Sequence, residues 1–325
     1  MKTQNLGIVM ILAIGLFSCQ SDDVITSLTG DDVLNTKSAT LASTDVAAEC
    51  ILGDVDLEAD YYTYAQKVLK QVAKLTDNSR KITNSHFMDK FYSGDGPMIS
   101  IDTAETGYPI IISIDYGDTT VTKHGKVLSG TIILEISGDK NTDGATRKVT
   151  YENFFVDSVS LTGSKSEIFN FTADSILVIT SSGNIVLTLP DGSTITAATE
   201  KQRTWIEGDD TPFEHDDDIL QVTGKTEFTT SEGESFVKET LIPLLRTGDC
   251  HNFVQGTVRY VQDGAEIAVL DYGDGECDEV ATLTTADGET IEIELRGSKL
   301  HGQNGNYNAE NNGKGKGKGK GNGKG

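Results

Sequence analysis

From Met98 onward, a succession of short β-prone segments restricts the chain to one class of fold. The segments are rich in Val, Ile, Thr and aromatic residues, which pack well on a pleated sheet. They are predicted at 98–103, 108–116, 126–137, 146–159, 165–173, 175–181, 184–189, 194–206, 218–229, 234–246, 252–262, 265–272, 278–285 and 289–296. Turn residues separate several of them, at Asp143-Gly144, Ser182-Gly183-Asn184, Asp191-Gly192, Asp263-Gly264 and Asp287-Gly288. Because no helices alternate with these strands, we expect a mainly β fold of antiparallel sheets, arranged as a sandwich or as a twisted sheet pair.

One substantial helix is predicted before the β region. Apolar and aromatic residues recur there at spacings of three and four, at Tyr61, Tyr64, Ala65, Val68, Leu69, Val72 and Leu75. Asp56, Glu58 and Asp60 stand near the start of this stripe, where carboxylates interact favourably with the helix dipole. The pattern predicts an amphipathic helix that packs one face against the sheets.

The first residues have the composition of a secretory signal. An uncharged run from Leu6 to Phe17 follows Lys2, and it is too short to span a membrane, which takes roughly 20 apolar residues. Ser18 precedes Cys19, in an arrangement that resembles the bacterial lipobox, where the cysteine sulfur receives a diacylglycerol. We therefore predict lipidation of Cys19 and a membrane anchor of two or more acyl chains. The alternative is an ordinary signal with a chance cysteine.

Asp22 and Asp23 follow closely after the cysteine. An acidic pair at this position resembles the export signal of surface lipoproteins in the Bacteroidota. The resemblance implies a location in the outer membrane, with the protein facing outside. The alternative is the start of a solvated linker.

Composition divides the chain into five parts. We predict a signal peptide at 1–18, a lipidated flexible tether at 19–45, a helical segment at 46–94, a β-rich body at 95–297 and a disordered Gly/Lys tail at 298–325.

The β-rich body contains one short repeat. The motif Asp-Tyr-Gly-Asp occurs at 115–118 and again at 271–274, each time after an apolar strand end. One interpretation is a duplication, with halves at about 95–206 and 213–297. The other is that strand ends selected the same residues independently, because the match is short.

The charge of the chain excludes some partners. The sequence has 27 Lys and Arg against 50 Asp and Glu, a net charge of −23. Several of the lysines are confined to the tail, so the body is more acidic still. Such a body repels nucleic-acid phosphates and anionic lipid headgroups, so we expect no nucleic acid among its partners.

Three cysteines remain after Cys19, and all would lie where disulfides persist. A two-residue turn at Asp263-Gly264 places Tyr260 opposite Ile267 and Cys250 opposite Cys277. We predict a disulfide between Cys250 and Cys277, with two buried thiols as the alternative. Cys50 is left outside this bond.

Acidic loops offer candidate sites for Ca²⁺. Asp139, Asn141 and Asp143, followed by Gly144, match the first half of an EF-hand loop. The twelfth position is Thr150 rather than a bidentate Glu, and strands rather than helices flank the loop. A solvated hairpin loop is therefore the main interpretation, with a Ca²⁺ site as the alternative. A second acidic run lies at 207–218.

No motif for catalysis is present. The five histidines have neither zinc-ligand spacing nor a neighbouring nucleophile motif, and no phosphate-binding or dinucleotide-binding loop occurs. Trp205 is the only tryptophan, and its alternating strand favours a packing role over a glycan-binding platform.

A longer series of residues resembles uncharacterised β-rich surface lipoproteins of the Bacteroidota. It comprises Ile114-Asp115-Tyr116-Gly117, His124-Gly125-Lys126, Arg203-Thr204-Trp205, Gly208, Asp217-Asp218, Val222-Thr223-Gly224, Ile242-Pro243-Leu244, Cys250, Gly256 and 270–278. The resemblance implies a non-enzymatic cell-surface protein of unknown activity, with a structural, adhesive or ligand-capture role. The alternative is a secreted carbohydrate-binding or carbohydrate-active accessory module. A weaker possibility is that the tail binds envelope polyanions.

Overall fold

The chain is organised around one long helix, α1, which spans Val33–Leu75. The computed structural model describes residues 33–75, 91–94, 96–105, 107–123, 125–209, 211, 217–248, 250 and 252–295. The predicted signal peptide, Cys19 and the Gly/Lys tail lie outside these residues. The strands are β1 (Tyr92–Ser93), β2 (Met98–Thr103), β3 (Ile110–Asp115), β4 (Thr120–Thr122), β5 (Val127–Ile136), β6 (Ala145–Val156), β7 (Val159–Phe171), β8 (Leu177–Thr188), β9 (Thr194–Glu207), β10 (Ile219–Thr230), β11 (Ser235–Thr247), β12 (Gln255–Gln262), β13 (Ala265–Asp274), β14 (Val280–Thr285) and β15 (Thr290–Glu294).

The 15 strands found in the described residues belong to one antiparallel sheet. From β5 to β15 each strand pairs with the next along the chain, while β3 and β4 pair with successive parts of β5. The predicted mainly β, antiparallel architecture with one N-terminal helix is confirmed. The strands form a single sheet rather than a sandwich or a sheet pair, because the inner face buries its side chains against α1 instead of a second sheet.

The sheet curves around α1, so residues on most sides of the helix are buried. The hydroxyl of Tyr62 lies 3.2 Å from that of Tyr92 in β1. The hydroxyl of Ser38 donates to the carbonyl of Ile267 in β13, at the far end of the sheet. The helix therefore contributes the centre of the core, and tertiary packing stabilises it more than a single apolar face could.

Two predictions about this helix are wrong. The tether was predicted to extend to residue 45, yet α1 begins at Val33, and Leu41, Ala42 and Asp45 are buried in the core. Polar composition suggested a solvated segment there, but packing inside the sheet overrides composition. The predicted apolar face is also wrong at Val68, which is 43% exposed, whereas Tyr62, which is not part of the predicted face, is fully buried.

Glycine permits the sheet to bend sharply at Gly130 in β5. Its φ is +78°, and a Cβ there would lie 1.9 Å from the carbonyl oxygen of Asn153 in β6. The pairing of β5 with β6 shifts register at this glycine. Such bulges increase the local twist and bend of a strand, which helps the sheet to surround a helix.

The predicted turn at Ser182-Gly183-Asn184 is wrong. These residues lie in the middle of β8 and pair with Ser164–Ser166 of β7. A Cβ on Gly183 would come within 3.0 Å of the Ser164 carbonyl oxygen, so glycine here permits a close approach of two strands. The predicted strands 175–181 and 184–189 are thus one strand.

The disulfide between Cys250 and Cys277 is present, with Cα atoms 5.8 Å apart. The predicted pairing of the neighbouring strands is only partly correct. A bulge between Tyr260 and Val261 shifts the register, so that Tyr260 faces Ala268 rather than Ile267. The shift turns Ala268 and Leu270 toward the core.

Among the described residues, no helix is both long enough and apolar enough to cross a membrane. α1 carries several acidic residues along its length, which a membrane-spanning helix would not tolerate.

Candidate functional site

Acidic residues form a stripe along α1. Asp45, Glu49, Asp56 and Asp60 follow one another at spacings of four and seven residues, which keeps them on one side of a helix. Asp56, Glu58 and Asp60 were predicted to lie near the helix start, where they would interact with its dipole. That prediction is wrong, because they lie in the middle of α1 and contact the sheet.

Basic side chains on the inner face of the sheet form ion pairs with the acidic residues of this stripe. Lys238 of β11 lies 2.8 Å from Asp45, and Lys201 of β9 lies 2.6 Å from Glu49. Further along the helix, Lys165 of β7 contacts Asp56. Burial of these charges is tolerated because each has a partner of opposite sign.

Two arginines bind Asp60, the last acidic residue of the stripe. Nη2 of Arg147 in β6 donates to Oδ1 of Asp60 at 2.7 Å, and Nη1 of Arg203 in β9 donates to Oδ2 at 2.6 Å. Glu167 of β7 is fully buried and also accepts hydrogen bonds from both arginines. Two carboxylates and two guanidinium groups therefore form one connected cluster between α1 and three strands, and Lys165 extends it by pairing with Glu167 at 3.1 Å.

The cations decide the ionisation of these carboxylates. Burial alone would raise the pKa of Glu167, but Arg147, Lys165 and Arg203 outweigh it and lower that pKa to about 2. Burial likewise opposes the charges of Lys201 and Lys238 at Glu49, whose pKa is lowered to about 2. Both groups are therefore ionised at neutral pH.

Glu58 has a different environment on another side of α1. Tyr92 and Tyr116 donate hydrogen bonds to its Oε2, the latter at 2.6 Å. Burial raises the pKa of Glu58 to about 7, because these neutral donors only partly offset the loss of water.

The two copies of the Asp-Tyr-Gly-Asp motif have the same local geometry. The Gly117 N–H donates to Asp115 Oδ1 at 2.9 Å, and the Gly273 N–H donates to Asp271 Oδ1 at 3.0 Å. In both copies the intervening tyrosine, Tyr116 or Tyr272, is buried. Duplication stays a prediction, and β9 and β10 pair across the boundary between the two proposed halves.

A cavity of about 100 Å³ lies between α1, strands β9, β10, β11 and β13, and residues just before β12 and just after β15. Its apolar wall includes Val46, Leu52, Leu57, Leu220, Val222, Phe253 and Leu295. Its polar wall includes Glu49, Asp54, Asp56, Lys201, Arg203 and Arg246, together with Cys50, Asn252 and Tyr272. A concave, mostly apolar site with a few polar groups is the usual form of a small-molecule site.

The basic side chains that line this cavity differ in how many ion pairs and hydrogen bonds they form. Lys201 binds Glu49, and Arg203 binds Asp60 and Glu167. Arg246 of β11, by contrast, makes no ion pair or hydrogen bond with any described residue, and burial lowers its pKa despite the nearby Asp54. The Nε of Arg203 is also buried without an acceptor in the described part of the chain.

The predicted Ca²⁺ residues are engaged with protein groups. Asp139 binds Lys67 at 2.7 Å and accepts a hydrogen bond from the Asn141 N–H, while Asp143 accepts one from the Phe171 N–H. Within the described ranges, no three His, Cys, Asp or Glu side chains are grouped as metal ligands. The loop is a hairpin between β5 and β6, and a Ca²⁺ site there stays a prediction.

Trp205 is 4% exposed, and the Arg203 guanidinium lies 5.3 Å from its ring centre. Its predicted packing role is confirmed. All five histidines lie outside the described residues, as does Cys19.

Sequence reasoning missed the charged stripe and the cavity. A signal was present in β9, where Lys201 and Arg203 fall in phase with Ala197 and Trp205 on the inward side. Basic residues in phase with a buried set imply acidic partners elsewhere in the chain. The acids of α1 supply them at helical spacing.

Comparison of the whole chain with protein families, with curated proteins and with solved structures gives no match.

Proposed function

We propose that this protein is a non-enzymatic lipoprotein of the outer membrane that faces outside and captures a small extracellular ligand. The observation that carries the capture role is the cavity beside α1, whose wall is largely apolar and holds Arg246 without an ion pair. Lipidation of Cys19 would hold the body at the membrane surface. Asp22 and Asp23 would direct it outward.

The alternatives in carbohydrate chemistry are less well supported. Trp205 is buried under Arg203 and offers no flat platform to a sugar. Glu49 and Asp56, two of the carboxylates that line the cavity, are bound to lysines, which leaves them poorly placed to donate or accept a proton during glycoside hydrolysis.

Labelling with palmitate in a Bacteroidota host tests the anchor. We expect label on the wild-type protein and its loss in Cys19→Ala, with Cys50→Ala as the matched control that keeps the label. Labelled Cys19→Ala protein would refute lipidation at this residue.

Protease treatment of intact cells tests the orientation. Wild-type protein should be cleaved, whereas the double variant Asp22→Ala/Asp23→Ala should stay lipidated but become protected. Protection of the wild type would refute outward placement. Capture is tested by the binding experiment that follows.

A further inference from the structure

The cavity has an electrostatic asymmetry that points to the charge of its ligand. Arg246 is a half-buried guanidinium that forms no ion pair or hydrogen bond with a described residue, although Asp54 and Asp56 are close enough to attract it. Guanidinium groups are suited to planar, two-pronged contact with carboxylates. Arg203 lines the same cavity, is 8% exposed, and keeps one N–H without an acceptor. Arg246 is therefore the donor on this wall that an anion can reach, and Arg203 adds positive charge to the same wall.

The remaining wall suggests the rest of the ligand. Leu52, Val222 and Phe253 line the cavity with hydrocarbon, which suits a short apolar body better than a fully hydrated inorganic ion. Size sets a limit, since a dry cavity of about 150 Å³ accepts benzene. A cavity of about 100 Å³ therefore suits a compound smaller than benzene.

We propose that the cavity binds a small organic carboxylate, with the carboxylate at Arg246, on the wall that it shares with Arg203, and the apolar body against Leu52, Val222 and Phe253. This inference rests on the ligand-capture function proposed above. An anion there would relieve the unfavourable burial of the Arg246 charge.

Because the protein has a negative net charge, only short-range contacts can attract an anionic ligand to the cavity. A charge of −23 repels anions at long range, but this repulsion is screened over about 8 Å at physiological ionic strength. Binding should therefore be measured at that ionic strength, where short-range contacts with the guanidinium groups dominate.

Isothermal titration calorimetry of the full chain in detergent, with propionate, butyrate and phosphate as probes, tests the proposal. We expect saturable binding of at least one carboxylate, at least tenfold weaker binding in Arg246→Gln, and no more than twofold change in Arg259→Gln. Arg259 is the matched control, because it pairs with Glu239 on the outer face of the adjacent strand. The absence of carboxylate binding, equal binding by Arg246→Gln, or phosphate binding as tight as that of carboxylates would overturn the proposal.

A second variant guards against loss of folding in Arg246→Gln. Gly53 of α1 lines the cavity, and a Cβ there would lie 3.6 Å from Arg246 Nη1. Gly53→Met should fill the space, preserve the helix and abolish binding; unchanged binding would contradict the proposal.

Cys50 offers an independent reporter. Its thiol is outside the disulfide and lines the cavity, so bound carboxylate should slow its alkylation at least threefold. Unchanged alkylation at saturating carboxylate would place the ligand elsewhere and overturn the assignment. The two proposals can fail separately. Carboxylate binding in micelles together with no lipid on the protein in cells would refute the anchor alone. A lipidated, surface-exposed protein that binds no carboxylate would refute the ligand assignment alone.

Discussion

Arg147 and Asp60 form an ion pair in the interior, with Nη2 of the arginine 2.7 Å from Oδ1 of the aspartate and both side chains almost fully buried. The pair fixes β6 against the middle of α1, and Arg203 fixes β9 to the same carboxylate. A buried pair gains little net stability over apolar packing, but loss of one partner is costly. We infer that the cluster determines how the helix is positioned inside the sheet.

Asp60→Asn should be strongly destabilising. It leaves two buried arginines short of one negative charge, and we expect a loss of about 3–5 kcal/mol in the free energy of unfolding. Urea denaturation at pH 7 measures this loss. The control is Asp139→Asn, whose partner Lys67 is 66% exposed, so its effect should stay below about 1 kcal/mol. Equal effects of the two substitutions would contradict a special role of the buried cluster.

Glu58→Gln should stabilise the protein at alkaline pH. Unfolded glutamate loses its proton near pH 4.3, whereas folded Glu58 keeps its proton until about pH 7. Between these values the folded state binds more protons, so wild-type stability falls as the pH rises through this window. At pH 8 the neutral glutamine avoids this cost, a gain of up to about 3 kcal/mol, and near pH 4 the gain should vanish. Thermal melts at both pH values measure the difference, and a gain independent of pH would contradict the account.

Glu167→Gln should show the opposite dependence on pH. The pKa of Glu167 is lowered to about 2, so its stabilising contribution is complete above the unfolded value near 4.3 and is lost as the pH falls through about 2. At pH 7 we expect a loss of about 3–5 kcal/mol in unfolding free energy. Urea titrations at pH 7 and pH 3 should show the loss shrinking in acid; a constant loss would indicate that charge is unimportant there.

Two glycines should respond to alanine with opposite signs. Gly53→Ala adds a helix-favouring residue with only ordinary contact to Arg246, and should stabilise by about 0.5–1 kcal/mol. Gly130→Ala would place Cβ 1.9 Å from the Asn153 carbonyl at a φ of +78°, and should destabilise by about 2 kcal/mol or more. Chemical denaturation compares the two, and a tolerated Gly130→Ala would argue against a required bulge.

The disulfide should stabilise the far end of the sheet. Its two cysteines are 27 residues apart, and a loop of this order gives about 2–4 kcal/mol of stabilisation by restricting the unfolded chain. The double variant Cys250→Ser/Cys277→Ser should lose this amount in urea denaturation. Reduction of the wild type should reproduce the loss, while Cys50→Ser should not; a double variant as stable as the wild type would refute the contribution.

The sequence by itself determined the antiparallel strands, the existence of one helix and the disulfide, because these follow from local periodicity, turn residues and a short hairpin. It also predicts the lipid anchor, which lies outside the described residues. Only the tertiary structure decided that one sheet wraps around the helix, that Val33–Asp45 belongs to the helix, and that Arg246 lines a cavity. Asp45 and Lys238 are nearly 200 residues apart in sequence yet 2.8 Å apart in space. Local patterns carry no information about which distant charge neutralises a buried one, because that choice depends on the curvature of the whole sheet.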